Sequence, residues 1–198
     1  VPGEQWRATS GRHDRLNSEF AAVILAGGRA SRLSGVDKVA LEVGGRTLLQ
    51  RSLDAVAGAD PVIVVGPRRP VPGVVWTREE PPASGPVAGL AAGLAVVPAG
   101  VTEVAVLAAD LLNVAADTVA RLRSALRGAP DAGGAVLVDA AGVRQWLIGV
   151  WRADAVRHAL PADPAGRALH RVLGALALVE VAARPGEAAD VDTPDDLA

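Results

Sequence analysis

The chain has 198 residues, half of them hydrophobic and 21% charged, with 20 basic and 22 acidic side chains and a net charge of −2. That is enough to bury a full core, and the balance is that of a globular rather than a disordered protein. The near-neutral charge offers no bulk attraction to nucleic acid or anionic membrane, the absence of cysteine removes disulfides and thiol chemistry together, and no apolar run approaches the roughly 20 residues of a membrane span.

Residues 1–20 are polar and mixed in charge and are expected to form a mobile leader, with one globular domain over 21–198. No signal-like apolar segment stands near the start, which favours the cytoplasm. Ala21–Ala26 is a short, continuous apolar run ending at Gly27-Gly28, the pattern of a buried parallel strand feeding a glycine turn. Thr47 is placed to cap a helix through Ala57, with Leu48, Leu49, Leu53 and Val56 on one face. Pro61–Val65 and Val74–Thr77 read as strands, and Pro86 opens a small-residue helix over Val87–Val97. A further strand, Glu103–Ala109, ends at Asp110, and Asp117–Arg127 is an amphipathic helix. Ala135–Asp139 and Gln145–Val150 read as strands around a turn at Ala140-Ala141-Gly142. Ala153–Leu160 and Arg167–Leu176 are expected helices, and Leu178–Ala182 a last strand. The alternation implies an α/β fold of three layers, Rossmann-like, around a mostly parallel central sheet. In such sheets ligands bind beyond the carboxyl ends of the strands, so Gly27, Gly28, Gly66, Arg78 to Glu80 and Asp110 are the positions of interest.

The segment Leu25-Ala26-Gly27-Gly28-Arg29-Ala30-Ser31-Arg32, continuing to Lys38, combines adjacent glycines with three cations. Glycines let backbone N–H groups approach an anion, and mobile cations neutralise charge on a polyphosphate. The spacing fits neither the P-loop G-x-x-x-x-G-K-[ST] nor the dinucleotide fingerprint G-x-G-x-x-G. Lys38 is the one lysine among twenty basic residues, the rest being arginine. An ammonium is a compact point charge where a guanidinium is a planar fork, so a lone lysine marks a place that an arginine does not fill. Asp110 follows the apolar run of its strand directly, a position suited to holding Mg²⁺ against phosphate oxygens. The three histidines are scattered, which supports neither a histidine metal site nor a Ser-His-Asp triad.

The pattern L-A-G-G-x-x-x-R, with lysine six residues after the arginine, resembles the signature of nucleotidyltransferases that join a nucleoside monophosphate to a phosphorylated acceptor. With Asp37-Lys38 it is similar to the molybdenum cofactor guanylyltransferases. The resemblance implies that Leu25, Ala26, Gly27 and Gly28 hold the nucleotide, that Arg32 and Lys38 contact the triphosphate, and that Asp110 is the magnesium ligand. The family usually carries proline two residues after that aspartate, where Leu112 stands here. Glu80, before Gly85-Pro86-Val87-Ala88-Gly89, matches the family's acidic residue that reads guanine, and Gly66 joins the nucleotide-binding set. The closing Asp190-Val191-Asp192-Thr193-Pro194-Asp195-Asp196-Leu197 matches a terminal motif that places Asp192 near metal and acceptor. Gln145 and Arg167 are the acceptor-side candidates.

The implied reaction takes GTP and a molybdopterin-type cofactor to a guanine dinucleotide cofactor and pyrophosphate, with Mg²⁺, without nucleic acid or membrane, and with transient contact to cofactor-handling proteins. CTP with molybdopterin, GTP with another phosphorylated acceptor, and a nucleotide-binding regulator without turnover stay open at this point.

Overall fold

The computed structural model describes residues 20–27, 32–33 and 36–189; for residues 32–33 and 36–37 it describes the backbone alone. The expected leader, save Phe20, and the terminal motif from Asp190 lie outside the described residues. Phe20 itself is buried and opens the first strand, one residue before the expected start.

In chain order, β1 (Phe20–Leu25) is followed by two short ribbons, β2 (Arg32–Leu33) with β3 (Val36–Asp37) and β4 (Glu42–Val43) with β5 (Arg46–Thr47), separated by a 3-10 turn at Lys38–Ala40. Next come α1 (Leu48–Ala55), β6 (Val62–Val65), β7 (Val75–Thr77), α2 (Pro86–Leu94), β8 (Glu103–Ala108) and α3 (Ala116–Arg127). The chain continues through β9 (Gly134–Val138), β10 (Arg144–Arg152), α4 (Ala153–Ala159), α5 (Leu169–Leu173) and β11 (Leu178–Ala182). The Thr47 hydroxyl accepts from the Gln50 N–H at 3.1 Å while the Gln50 side chain returns the bond at 3.0 Å. This reciprocal cap fixes where α1 begins.

Seven strands form one sheet in the order β11-β9-β10-β8-β1-β6-β7. All neighbours are parallel except those of β10, which runs antiparallel to both β8 and β9. The reversal comes from the turn expected at 140–142. There the Asp139 carboxylate accepts from the Ala141 and Val143 N–H groups, both at 2.9 Å, and Gly142 takes φ +79°. The sheet is apolar on both faces, which explains the unbroken hydrophobic run of β1. Ala22 and Ile24 pack with α1 and α3 on one side; Ala21 and Val23 pack with α2, α4 and α5 on the other. Each such buried aliphatic side chain contributes roughly 1.5–3 kcal/mol. Helix α2 lies very close to the sheet, because a Cβ on Gly93 would sit 2.5 Å from the Val23 methyl.

The expected helix over Arg167–Leu176 is shorter, spanning Leu169–Leu173 only. Ala168 is extended and Gly166 turns at φ +66°, so the chain is not helical before Leu169, and Gly174 caps the other end.

At the amino end of β8 the buried Glu103 carboxylate accepts from Arg123 at 2.8 Å and Arg127 at 2.6 Å. Burial alone would raise its pKa, but the hydrogen bonds and charges of these two arginines outweigh that and hold it below the ordinary carboxylate value. Replacing Arg123 and Arg127 together by alanine leaves a buried carboxylate unpaired and is expected to cost about 3–5 kcal/mol near neutral pH. Because the folded-state pKa is depressed, this stabilisation is complete above the ordinary value of 4.5 and is lost as the pH falls through the depressed one. Urea unfolding over a pH series from 7 downward checks it: the gap between wild type and double variant narrows on acidification.

Candidate nucleotide site

The chain order places β1 between β6 and β8, so successive connections leave β1 in opposite directions and open a crevice at the strand carboxyl ends. The backbone ladder continues past the strands: the Ala26 N–H bonds to the Val65 carbonyl at 2.8 Å and the Ala109 N–H to the Leu25 carbonyl at 3.0 Å. The result is a cleft of about 380 Å³ floored by Leu25, Ala26 and Gly27 and by Ala108, Ala109 and Asp110. Its volume suits a small-molecule ligand.

Each wall has a local cause. Gly66 sits behind the floor at φ +153°, where a Cβ would come within 2.8 Å of the Ala26 carbonyl oxygen. It shapes the loop from below and is not among the lining residues. Helix α2 brings Gly85, Pro86 and Gly89 to the cleft. Gly85 provides no side-chain cap, and Pro86 opens the helix without an N–H, so this end of α2 bounds the cleft as a compact, small-residue wall. Leu147 reaches in from the reversed strand β10.

Among the described residues the two carboxylates on this cleft are Asp110, half-buried, and Glu79, buried. Glu80, the expected base-reading residue, is exposed and does not line the cleft, whereas its neighbour Glu79 does. Just beyond β7, Arg78 and Glu80 are exposed while Glu79 is buried, a burial alternation of period two. Glu79 Oε1 accepts from the Ala83 N–H at 2.9 Å, and the Ser84 hydroxyl donates to the Pro81 carbonyl at 2.5 Å, closing the loop on itself. That period-two alternation is the signal that would have selected residue 79.

Lys38 is 4% exposed and starts the 3-10 turn whose next residue, Val39, lines the cleft. Thus Leu25, Ala26, Gly27 and Asp110 converge on the cleft, with Lys38 at its margin. Gly28, the side chain of Arg32, and Asp192 lie outside the described residues. The Gln145 amide donates to Asp139 at 2.8 Å within the β9–β10 turn, and Gln145 does not line the cleft. Arg167 is exposed and follows Gly166, whose N–H bonds to the Ser84 carbonyl at 2.8 Å beside the cleft-lining Gly85.

The donor set fits a magnesium ion that is shared with a ligand. Among the described residues no group of three or more acidic or imidazole side chains is gathered to cage a metal. Mg²⁺ is commonly held by one or two carboxylates together with substrate phosphates, and Asp110 on the cleft floor supplies such a carboxylate. No helix among the described residues is long and apolar enough to cross a membrane.

The family of MobA-like NTP transferase domains matches residues 22–181. A probable molybdenum cofactor guanylyltransferase from Opitutus terrae is 39% identical over 116 residues, 56% of this chain and 57% of that protein. The chain therefore spans little more than half the length of this curated relative. Among solved structures, the molybdopterin-guanine dinucleotide biosynthesis protein A of Archaeoglobus fulgidus superposes with a TM-score of 0.66 at 17% identity, over 89% of this chain and 94% of the other. The 2-C-methyl-D-erythritol 4-phosphate cytidylyltransferase of Thermus thermophilus does so with 0.65 at 21% identity, over 88% and 94%. At those identities the likeness establishes the fold alone, and it is shared by proteins named for different nucleotides. The match across residues 22–181 takes in part or all of each of the seven strands of the sheet and every lining residue of the cleft, and the chain belongs to the family of MobA-like NTP transferase domains.

Proposed function

We propose that this chain transfers GMP from GTP to the phosphate of a molybdopterin-type cofactor and releases pyrophosphate. The observation that carries the reading is the meeting of Asp110 and Glu79 with the Leu25–Gly27 backbone around one cleft. The name of the Opitutus terrae relative supports the choice of nucleotide and acceptor.

In this reading a phosphate oxygen of the acceptor attacks the α-phosphorus of GTP. The bond between α-phosphorus and bridging oxygen breaks, and pyrophosphate leaves. No covalent enzyme intermediate is needed, since the acceptor is the nucleophile. The backbone of Leu25 to Gly28 holds the phosphates, and Lys38 and Arg32 offset the charge that grows on the departing pyrophosphate. Asp110 holds Mg²⁺, which when bound neutralises phosphate charge. Glu79 accepts hydrogen bonds from the N1–H and 2-amino groups of guanine, an edge that cytosine does not present. Arg167 and Leu147 flank the acceptor, and Asp192 completes that side.

Titrating GTP, CTP and ATP with Mg²⁺, then adding molybdopterin and following pyrophosphate, tests the whole reading. Binding of CTP without GTP would overturn the guanylyl assignment, and GTP binding without pyrophosphate for any acceptor would favour a regulator. Glu79→Gln is expected to lower kcat/KM for GTP by roughly 10²-fold, the loss of about 3 kcal/mol of charged hydrogen bonding. Glu80→Gln is expected to stay near wild type. The reverse result would return base recognition to Glu80.

A further inference from the structure

Arg51, outside the cleft, joins two of the segments on which this reading depends. From α1 its guanidinium donates through Nη2 to the Val43 carbonyl at 2.6 Å and through Nη1 to the Leu112 carbonyl at 3.3 Å. Val43 lies in the β4–β5 ribbon, directly after the turn that Lys38 opens. The Leu41 N–H bonds to the Lys38 carbonyl and the Leu48 N–H to the Leu41 carbonyl, each at 3.0 Å, so ribbon and Lys38 segment form one connected piece. Leu112 is two residues beyond Asp110. The neighbouring side chain on α1, buried Ser52, donates to the Ala108 carbonyl at 3.1 Å, two residues before Asp110. Consecutive residues of one helix therefore grip the backbone on both sides of Asp110.

The same turn is held from the opposite side. The Leu112 N–H bonds to the Ala189 carbonyl at 3.1 Å, and the Asn113 amide to the Gly186 carbonyl at 2.9 Å. That N–H is one a proline at 112 would lack. An arginine suits the bridging position because its fork presents two NH₂ groups at fixed spacing, whereas an ammonium is a point donor. Gly44 makes room for it: a Cβ there would lie 3.3 Å from Arg51 Nη2.

We propose that Arg51 is a positioning residue for nucleotidyl transfer, a brace between two carbonyls that sets the separation of the Lys38 segment and the Asp110 turn. It does not line the cleft. The inference rests on the roles given above to Lys38 and Asp110. Groups that orient a metal ligand are typically worth about 10–100-fold in metal affinity or activity.

The test uses the full chain carrying Arg51→Met or Arg51→Lys, each alone and combined with Asp110→Ala. Calorimetry gives GTP affinity with and without Mg²⁺, and pyrophosphate release gives kcat. Arg51→Met is expected to weaken the Mg²⁺-dependent part of GTP binding and to lower kcat, each about tenfold, while metal-free GTP binding, which feels only the Lys38 side of the brace, weakens less. Arg51→Lys, which keeps the charge but not the fork, shows the same pattern, and it carries the test should the methionine variant not fold. In the Asp110→Ala background each substitution costs less than it does in wild type, because residues acting through one another do not add. A folded Arg51→Lys protein with wild-type Mg²⁺ dependence, or losses fully additive with Asp110→Ala, would overturn the brace. Failure of the wild-type chain to bind GTP with Mg²⁺ would overturn the reading beneath it, and is visible before any substitution is made.

Discussion

Asp110→Ala is expected to lower kcat by about three orders of magnitude, with a far-UV circular dichroism spectrum and thermal midpoint close to wild type. A metal held on phosphate oxygens contributes several kcal/mol to the transition state, and about 4 kcal/mol corresponds to 10³ in rate. The fold should tolerate the change because Asp110 follows β8 rather than belonging to it, is half-buried, and faces the cleft. The hydrophobic strand beneath it, Val104 to Leu107, is buried and untouched. Asp110→Asn separates charge from shape: it keeps the volume and loses the anion, and its loss should approach that of alanine. Pyrophosphate release over a Mg²⁺ titration measures both. An Asp110→Ala protein with near-normal turnover would remove the metal role from this residue.

Lys38→Met should follow closely, with kcat down by about 10²–10³-fold, the cost of removing one preorganised group that meets developing charge. Methionine keeps the stem and packs where the lysine stem packs, so the 3-10 turn and the buried Val39 beside it need not move. Lys38→Arg should not rescue activity. The site is 4% exposed, and a planar guanidinium is larger than an ammonium and binds in a different geometry. Kinetics with GTP and acceptor, alongside thermal midpoints for both variants, separate lost chemistry from lost folding. A fully active Lys38→Arg enzyme would show that positive charge alone suffices there.

Much of the site was legible because its floor is local. The apolar run before Gly27 and the one before Asp110 place these residues at strand carboxyl ends, and β1 and β8 pair in parallel as that pattern implies. Which of the neighbouring glutamates lines the cleft was not legible, since the two differ only in burial: Glu79 is buried and Glu80 is exposed. Gln145 was assigned to an acceptor from the residues around it, yet Asp139 claims its amide in a turn. Leu147 enters the cleft only because β10 runs against its neighbours. Arg51 carried no signal at all. One more arginine on an amphipathic helix is unremarkable until the chain brings Val43 and Leu112 to its two NH₂ groups.

The sequence by itself determined the layered α/β class, a glycine loop after Leu25 whose spacing differs from two commoner phosphate-binding loops, and the placing of Asp110 at a strand carboxyl end. These follow from hydrophobic period, glycine position and residue chemistry, each of which acts over a few neighbouring residues. Only the tertiary structure decided that Glu79 rather than Glu80 faces the cleft, and that Arg51 and Ser52 hold the turn around Asp110. Those outcomes depend on strand order and on contacts between residues as far apart as 51 and 112, which no local pattern encodes.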